Sequence, residues 1–189
     1  MTARILVIGG SKGGLAAVRT ILRALPATFP VAIGVVLHRS CSDQGLASYV
    51  GNRARLDVAD AIDGERITVG RVAIAPAGYH LLVDGDCWSL SVDEPVNYAR
   101  PSIDVLLASA AERFRGGVIG VLLTGTGSDG AAGLGRIRAL GGVTIVQDPA
   151  TAEAPEMPRA ALDMTDVEHV VALEEIPRIL DALARGVAQ

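Results

Sequence analysis

Three side chains in this sequence have the types and positions that suit a nucleophile, a base and an orienting acid. Ser11 lies in a glycine-rich turn directly after the first apolar run, His38 directly follows the second such run, and Asp129 lies in another glycine-rich turn. A serine hydroxyl is a weak nucleophile at neutral pH, so it needs a base and a group that orients the base. The three residues are therefore candidates for serine hydrolase chemistry, although a histidine at a strand end and an aspartate in a turn also serve purely structural roles.

The turn around Ser11 admits three interpretations. Gly9-x-Ser11-x-Gly13 fits the nucleophile elbow, which exposes a serine hydroxyl at the end of a sheet. A dinucleotide fingerprint ending at Gly14 would need a glycine in place of Ser11 and an acid about 20 residues further on, and no acid ends the second apolar run. The third interpretation is a tight turn without chemistry. A P-loop is excluded, because Lys12 is not followed by Ser or Thr.

The composition excludes several classes of protein. The chain has 189 residues, a net charge of −4 and a sequence pI of about 5.3, which argues against a nucleic-acid partner. No apolar run approaches the ~18 residues of a membrane span, and no signal peptide is visible. We therefore expect no membrane insertion, a natural start at Met1 and a cytoplasmic location. Cys41 and Cys87 lack metal-ligand spacing, no metal or organic cofactor is expected, and Cys41 is a minor candidate nucleophile because it lies near His38.

Apolar runs that alternate with helical spacing predict one α/β domain over residues 1–189, with a doubly wound, mostly parallel sheet flanked by helices. Two runs around Asp84-Gly85-Asp86 predict an antiparallel β-hairpin. Because the carboxyl ends of parallel strands share one edge of the sheet, Ser11, His38 and Asp129 are expected to meet there. The predicted strands span residues 4–9, 31–37, 71–75, 79–83, 88–92, 117–123, 143–147 and 167–173, the predicted helices begin near residues 14, 45, 102, 131 and 174, and residues 148–158 are predicted to be a loop.

Several segments, in order along the chain, resemble the catalytic domain of CheB, the chemotaxis protein-glutamate methylesterase family. The resemblance covers most of the chain. Two positions depart from the family pattern, because Lys12 replaces the usual Ala or Thr after the serine and Thr126 replaces the Met of the second turn. The matching segments are Ile8-Gly9-Gly10-Ser11-Lys12-Gly13-Gly14, His38, Ile74-Ala75-Pro76-Ala77-Gly78-Tyr79-His80-Leu81, Arg100-Pro101-Ser102-Ile103-Asp104-Val105-Leu106, residues 120–133, Gln147-Asp148 and Met157-Pro158-Arg159-Ala160-Ala161.

This resemblance implies hydrolysis of glutamyl methyl esters on chemoreceptors, with release of methanol, and in some family members deamidation of receptor glutamines. It implies that Ser11 is the nucleophile, that His38 is the general base and then the general acid, and that Asp129 orients the imidazole. It also implies that backbone N–H groups at the Ser11 turn and near Thr126 and Gly127 stabilise the oxyanion.

The implied partner is the methylated cytoplasmic segment of a chemoreceptor. Two opposite roles are possible for Lys12. Its ammonium group either binds the acidic receptor segment or the product carboxylate, which would assist the reaction. Alternatively, it pairs with Asp129 and draws that carboxylate away from His38. Family members commonly carry an N-terminal receiver domain, for which this chain leaves no room, so we expect a separate receiver-domain regulator or constitutive activity. The alternatives are a catalytically impaired family member that serves as a binding or scaffolding module, and a nucleotide-binding oxidoreductase, which the missing strand-end acid disfavours.

Overall fold

The computed structural model describes residues 4–39 and 45–186. Its strands are β1 (Ile5–Gly10), β2 (Ala32–Leu37), β3 (Asp57–Asp60), β4 (Arg71–Ile74), β5 (His80–Asp84), β6 (Cys87–Ser91), β7 (Val118–Leu122), β8 (Val143–Gln147) and β9 (His169–Val171). Seven of these strands form one parallel sheet in the spatial order β3-β4-β2-β1-β7-β8-β9. The predicted doubly wound, mostly parallel sheet is therefore confirmed.

Helices cover both faces of this sheet and enclose two apolar cores. One core lies under α1 (Gly14–Ala24), α2 (Leu46–Gly51) and α6 (Ile176–Ala184), and the other under α3 (Ile103–Phe114), α4 (Ala131–Ala139) and α5 (Glu156–Met164). Strand β1 supplies both, because Leu6 and Ile8 point into the first core while Ile5 and Val7 point into the second. All six residues of β1 are buried, which is why it reads in the sequence as a continuous apolar run.

The predicted β-hairpin is also confirmed, and it forms its own two-stranded sheet. Strands β5 and β6 pair antiparallel, with Asp84 opposite Cys87 across the turn. The hairpin packs its apolar side against α3 and against the second core, where Trp88 is buried. The Trp88 ring lies against Gly34 of β2, where an added Cβ would come within 2.7 Å of the ring. The hairpin therefore lies over the face of the sheet that α3 covers instead of extending the sheet.

Two elements differ from the sequence-based expectation. Strand β3 was not predicted, because it is a four-residue edge strand whose end residues, Asp57 and Asp60, are exposed and so carry no apolar pattern. Helix α5 was not predicted either, since residues 148–158 were predicted to be a loop and the helix begins within that range. Proline is compatible with the first turn of a helix, where no intrahelical N–H bond is lost, and both Pro155 and Pro158 stand at or near that turn.

The strand order defines where the chain can bind a ligand. Strand β1 has β2 on one side and β7 on the other, so the chain leaves the central strand in opposite directions in its two halves. In open α/β sheets ligands bind beyond the carboxyl ends of the strands at such a point. The segments that follow β1, β2 and β7 carry Ser11, His38 and Asp129 respectively.

Candidate active site

Ser11 is the first residue after β1, in a tight turn that begins α1. Its N–H donates to the Thr124 carbonyl at 3.0 Å, and its own carbonyl accepts the N–H of Gly14 at 2.8 Å. Gly13 adopts a left-handed conformation, with φ of +78°, which glycine accepts without a steric penalty. The turn therefore places Ser11, half-buried, at the amino end of α1, where backbone N–H groups have no partner within the helix.

Thr124, which lies two residues after β7, holds this turn, and sequence reasoning did not identify it. Its hydroxyl donates to the Lys12 carbonyl at 2.9 Å and accepts the N–H of Ala154 at 2.9 Å. Its own N–H donates to Oε1 of Gln147 at 3.0 Å, and both side chains are buried. A polar residue directly after a buried strand was the available signal, since a buried hydroxyl and a buried amide need hydrogen-bond partners.

His38 follows β2 and faces Asp129 across the end of the sheet. Its backbone N–H donates to the Gly10 carbonyl at 3.1 Å, which fixes it next to the Ser11 turn. Its ring Nε2 lies 2.7 Å from Oδ2 of Asp129, which leaves Nδ1 as the ring nitrogen for a second partner. Within the described residues no hydrogen bond joins the Ser11 hydroxyl to His38. Catalytic hydrogen bonds are often loose in proteins without bound substrate, so proximity at adjacent strand ends is the relevant observation.

Asp129 is a buried carboxylate whose oxygens are surrounded by donors. Oδ2 accepts the N–H of Ile103 at 2.7 Å as well as the His38 contact, and Oδ1 accepts the Ser102 hydroxyl at 2.8 Å and the Asp104 N–H at 3.1 Å. Burial alone would raise the pKa of Asp129, but the hydrogen bonds from His38, the two N–H groups and Ser102 outweigh it and lower that pKa to about 2. Asp129 is therefore ionised at neutral pH, as an imidazole-orienting group must be.

Asp129 caps α3, the helix that carries Asp104, and Asp104 caps α4, the helix that follows Asp129. Asp129 accepts N–H groups at the start of α3, while Oδ1 of Asp104 accepts the N–H groups of Gly130 at 2.9 Å and Gly133 at 2.7 Å at the start of α4. The amide of Asn97 bridges them, at 2.7 Å from Asp104 and 3.2 Å from Asp129. Burial and, to a smaller extent, the nearby charge of Asp129 raise the pKa of Asp104. Sequence reasoning missed Asn97 and Asp104, because this exchange of caps exists only in the folded chain.

The residues predicted to bind the oxyanion or the substrate lie on both sides of Ser11. Lys12, Thr126 and Gly127 are exposed, and Gly127 is left-handed with φ of +82°. The N–H groups of Lys12 and Thr126 donate to no acceptor in the part of the chain that the structure describes. Among those same residues Lys12 forms no ion pair with Asp129, which bonds to His38 instead. The arrangement thus favours the first of the two roles that the sequence left open for Lys12.

Gly125 closes the site beneath Ser11. An added Cβ at this position would lie 2.8 Å from Cβ of Ser11 and would also collide with the sulfur of the buried Met157. Backbone bonds fix it on both sides, since its N–H donates to Ala154 and its carbonyl accepts from Met157, each at 2.9 Å. The close approach of the two turns therefore depends on the absence of a side chain here.

The remaining sequence-based expectations concern the two cysteines and metal ions. Cys41 lies outside the described residues, and Cys87 belongs to β6 of the hairpin. Across residues 4–39 and 45–186, no three His, Cys, Asp or Glu side chains are grouped so as to hold a metal ion. In the same residues no helix has the length and apolar character that crossing a membrane requires.

A serine, an imidazole and a buried carboxylate, the residue types of a serine hydrolase site, lie at the switch point of a doubly wound sheet, and the imidazole contacts the carboxylate. Residues 6–180 match the family model described as CheB methylesterase. The chain therefore belongs to the CheB methylesterase family.

Individual relatives agree with this assignment. A protein-glutamate methylesterase/protein-glutamine glutaminase of Anaeromyxobacter dehalogenans is 43% identical over 182 residues, which cover 96% of this chain and 53% of that longer protein. A Leptospira interrogans protein named "Putative protein-glutamate methylesterase/protein-glutamine glutaminase" is 42% identical over 181 residues, which cover 95% of this chain and 94% of that protein. The crystal structure of the Thermotoga maritima CheB methylesterase catalytic domain superposes with a TM-score of 0.92 at 32% identity, covering 97% of this chain and all of that domain.

Proposed function

We propose that this chain is a protein-glutamate methylesterase that hydrolyses glutamyl methyl esters on the cytoplasmic segment of a chemoreceptor. The products are methanol and a receptor glutamate, and the proposed reaction takes place in the cytoplasm, where that segment lies. The names of the relatives also include protein-glutamine glutaminase, and we extend this second activity to the chain because an amide and an ester pass through the same kind of tetrahedral intermediate.

The proposed reaction has two halves that use the same residues. The Ser11 oxygen attacks the ester carbonyl carbon while its proton passes to the free ring nitrogen of His38. The N–H groups of Lys12 and Thr126 bind the oxyanion, and such a donor is worth about 2.7–4 kcal/mol where it has been measured. The intermediate collapses as His38 returns the proton to the departing methoxide, which leaves as methanol. A water molecule then attacks the acyl-serine and gives its proton to His38, which returns it to the Ser11 oxygen as the bond to the acyl group breaks and the glutamate leaves.

Asp129 has the role of keeping His38 ready for both transfers. Its ionised carboxylate accepts the ring N–H, holds the imidazole in one orientation and stabilises the imidazolium that forms in each half-reaction. The single observation that carries the proposal is the 2.7 Å contact between His38 and the buried Asp129, beside the turn that carries Ser11.

The test is methanol release from a methylated receptor fragment by the wild type and by Ser11→Ala. We expect Ser11→Ala to remove the activity and to leave the unfolding temperature within a few degrees of the wild type. Ser89→Ala is the matched control, because Ser89 is a half-buried serine on β6 of the hairpin, and it should retain wild-type activity. Activity that survives in Ser11→Ala would refute the nucleophile assignment.

Lys12→Thr, measured in the same assay, tests whether the lysine beside the nucleophile assists the reaction. If the Lys12 ammonium binds the substrate, this variant should raise KM and leave kcat within a few-fold. If the wild type released no methanol and Lys12→Thr did, the chain would instead be a catalytically impaired family member.

A further inference from the structure

A cavity of about 470 Å³ opens beside the imidazole of His38. Two arginines line it, Arg39 and Arg100, and Tyr98 stands at its rim. The Arg39 guanidinium already has partners within the protein, since it donates to the Ala75 carbonyl at 2.7 Å and lies 3.7 Å from the Asp60 carboxylate. The Arg100 guanidinium donates to two carbonyl oxygens, at 2.7 and 3.0 Å, and forms no ion pair with any residue that the structure describes. The cavity thus contains a fixed positive charge without a described counter-ion, in a chain of net charge −4.

Tyr98 occupies a backbone position that normally belongs to glycine. Val96 and Ala99 exchange backbone hydrogen bonds of 3.1 and 2.9 Å around Asn97 and Tyr98, whose φ values are +51° and +62°. Two left-handed central residues in a two-residue turn are the pattern of a type I′ turn, which favours Asn followed by Gly. A tyrosine there is strained, because its Cβ crowds the following carbonyl oxygen. Its side chain is fully exposed, so it gains nothing from packing within the protein to offset this strain.

Polar side chains hold this turn rigidly from below. Arg100 bonds to the carbonyls of Val92 and Asp93, and Nε2 of His80 donates to the Glu94 carbonyl at 3.2 Å. The amide of Asn97, the residue before Tyr98, donates to the buried carboxylate of Asp129 and to the half-buried carboxylate of Asp104. The turn is therefore tied directly to the group that orients His38, and the exposed tyrosine is held at a fixed position relative to it.

We propose that the cavity and the Val96–Ala99 turn together bind the acidic polypeptide segment that carries the methyl glutamate, an inference that rests on the proposed function. Arg100 binds a carboxylate that neighbours the ester along the segment, through the donors that the two carbonyls leave unused. Tyr98 packs on the segment and limits its movement across the cavity. Strain at an exposed aromatic residue beside a reactive imidazole is explained by such a contact, since strained backbone persists where function requires it. A tyrosine also loses little conformational entropy when it is immobilised in an interface.

The test measures binding of two labelled peptides to the Ser11→Ala protein, which holds substrate without hydrolysing it. Both peptides contain one methyl glutamate, flanked by glutamates in one and by glutamines in the other. Adding Tyr98→Gly should raise the dissociation constant of both peptides about tenfold. The same change should leave the unfolding temperature equal to or above that of the parent, because it relieves the strain. A drop in affinity that accompanies a rise in stability is not expected from misfolding.

Arg53→Gly is the matched control, because Arg53 is also exposed and left-handed, with φ of +70°. Arg53 follows Asn52, whose carbonyl accepts hydrogen bonds from Arg23 in the last turn of α1. Helix α1 begins at the Ser11 turn, so its last turn, and Arg53 with it, lies at the opposite end of the strands from the candidate active site. It should change neither dissociation constant by more than twofold.

Arg100→Gln tests the charge separately from the shape of the turn. If Arg100 binds a neighbouring carboxylate, this variant should reduce the preference for the glutamate-flanked peptide. Equal weakening of both peptides would mean that Arg100 only holds the loop, and this would overturn its assigned role.

The outcomes separate this inference from the proposed function. An active wild type whose Ser11→Ala form binds no peptide, or binds it equally with Tyr98→Gly, would overturn the docking surface and leave the esterase standing. A wild type that hydrolyses no ester but binds the peptides through Tyr98 would overturn the esterase and leave the docking surface standing.

Discussion

Replacing Asp129 by asparagine is the perturbation for which the structure gives the clearest expectation. The carboxylate accepts two N–H groups at the start of α3, one on each oxygen: Ile103 at 2.7 Å and Asp104 at 3.1 Å. An asparagine has one acceptor oxygen and one amide nitrogen that only donates. Whichever way the amide is turned, its nitrogen faces a backbone N–H, so one of these two donors loses its partner in a buried place.

The expected loss of stability follows from that count. A buried donor left without an acceptor costs about 1–3 kcal/mol, and we expect Asp129→Asn to lower the free energy of unfolding by that amount at pH 7. The loss should also depend on pH. The folded pKa of Asp129 is about 2, below the ordinary value of 3.8, so ionised Asp129 stabilises the wild type above pH 4 and the contribution disappears as the pH falls through 2. The shift corresponds to about 2 kcal/mol.

Urea unfolding of the wild type and of Asp129→Asn between pH 2 and pH 7 measures both effects. The gap between the two proteins should be widest above pH 5 and should narrow by about 2 kcal/mol toward pH 2. Asp104 acts in the opposite direction, since its pKa is raised, and the removal of the neighbouring charge should lower that pKa and reduce the narrowing. Asp86→Asn is the control, because the Asp86–Arg113 ion pair is exposed and its loss should cost no more than about 1 kcal/mol. Parallel curves for the wild type and Asp129→Asn would refute the reasoning.

The same variant and two others should alter turnover in the methanol assay. In Asp129→Asn the amide no longer fixes the tautomer of His38, and kcat should fall by up to about 10⁴-fold if the effect matches that in serine proteases; a near-normal rate would mean that another group orients the ring. Thr124→Val keeps the shape but removes the hydroxyl that bonds to the Lys12 carbonyl, so kcat should fall at least tenfold with little change in KM, whereas a change in KM alone would contradict a positioning role. Gly125→Ala should push Ser11 from its place and lower both activity and unfolding temperature, and a fully active, stable variant would show that the turns are not closely packed.

The central strands were predictable because their burial is two-sided. Side chains of β1 and β2 enter both cores, so every position is apolar and the run stands out from the rest of the sequence. The edge strand β3 has no such requirement, since its two end residues are exposed and its two middle residues are only partly buried. Helix α5 is hard to predict for a different reason, because its first turn contains Pro158, and proline is tolerated there although it breaks the interior of a helix.

The residues proposed to carry the chemistry were predictable from their places at strand ends, but those that hold them there were not. Ser11, His38 and Asp129 each follow a strand of the parallel sheet, and topology alone brings such positions to one edge. The supporting contacts of Thr124 and Asn97 join segments that are far apart in the sequence, and no local pattern marks them.

The exchange of helix caps explains why the Asp129 carboxylate can be ionised and buried at once. Asp129 satisfies the amino end of α3 while Asp104 satisfies the amino end of α4, so each helix supplies the donors that the other helix's acid requires. The desolvation cost of Asp129 is thereby offset by bonds that the fold must make in any case, because the first N–H groups of a helix need acceptors. Substitutions that loosen the packing of α3 against α4 should therefore raise the pKa of Asp129 and slow the reaction together, even when they lie far from Ser11.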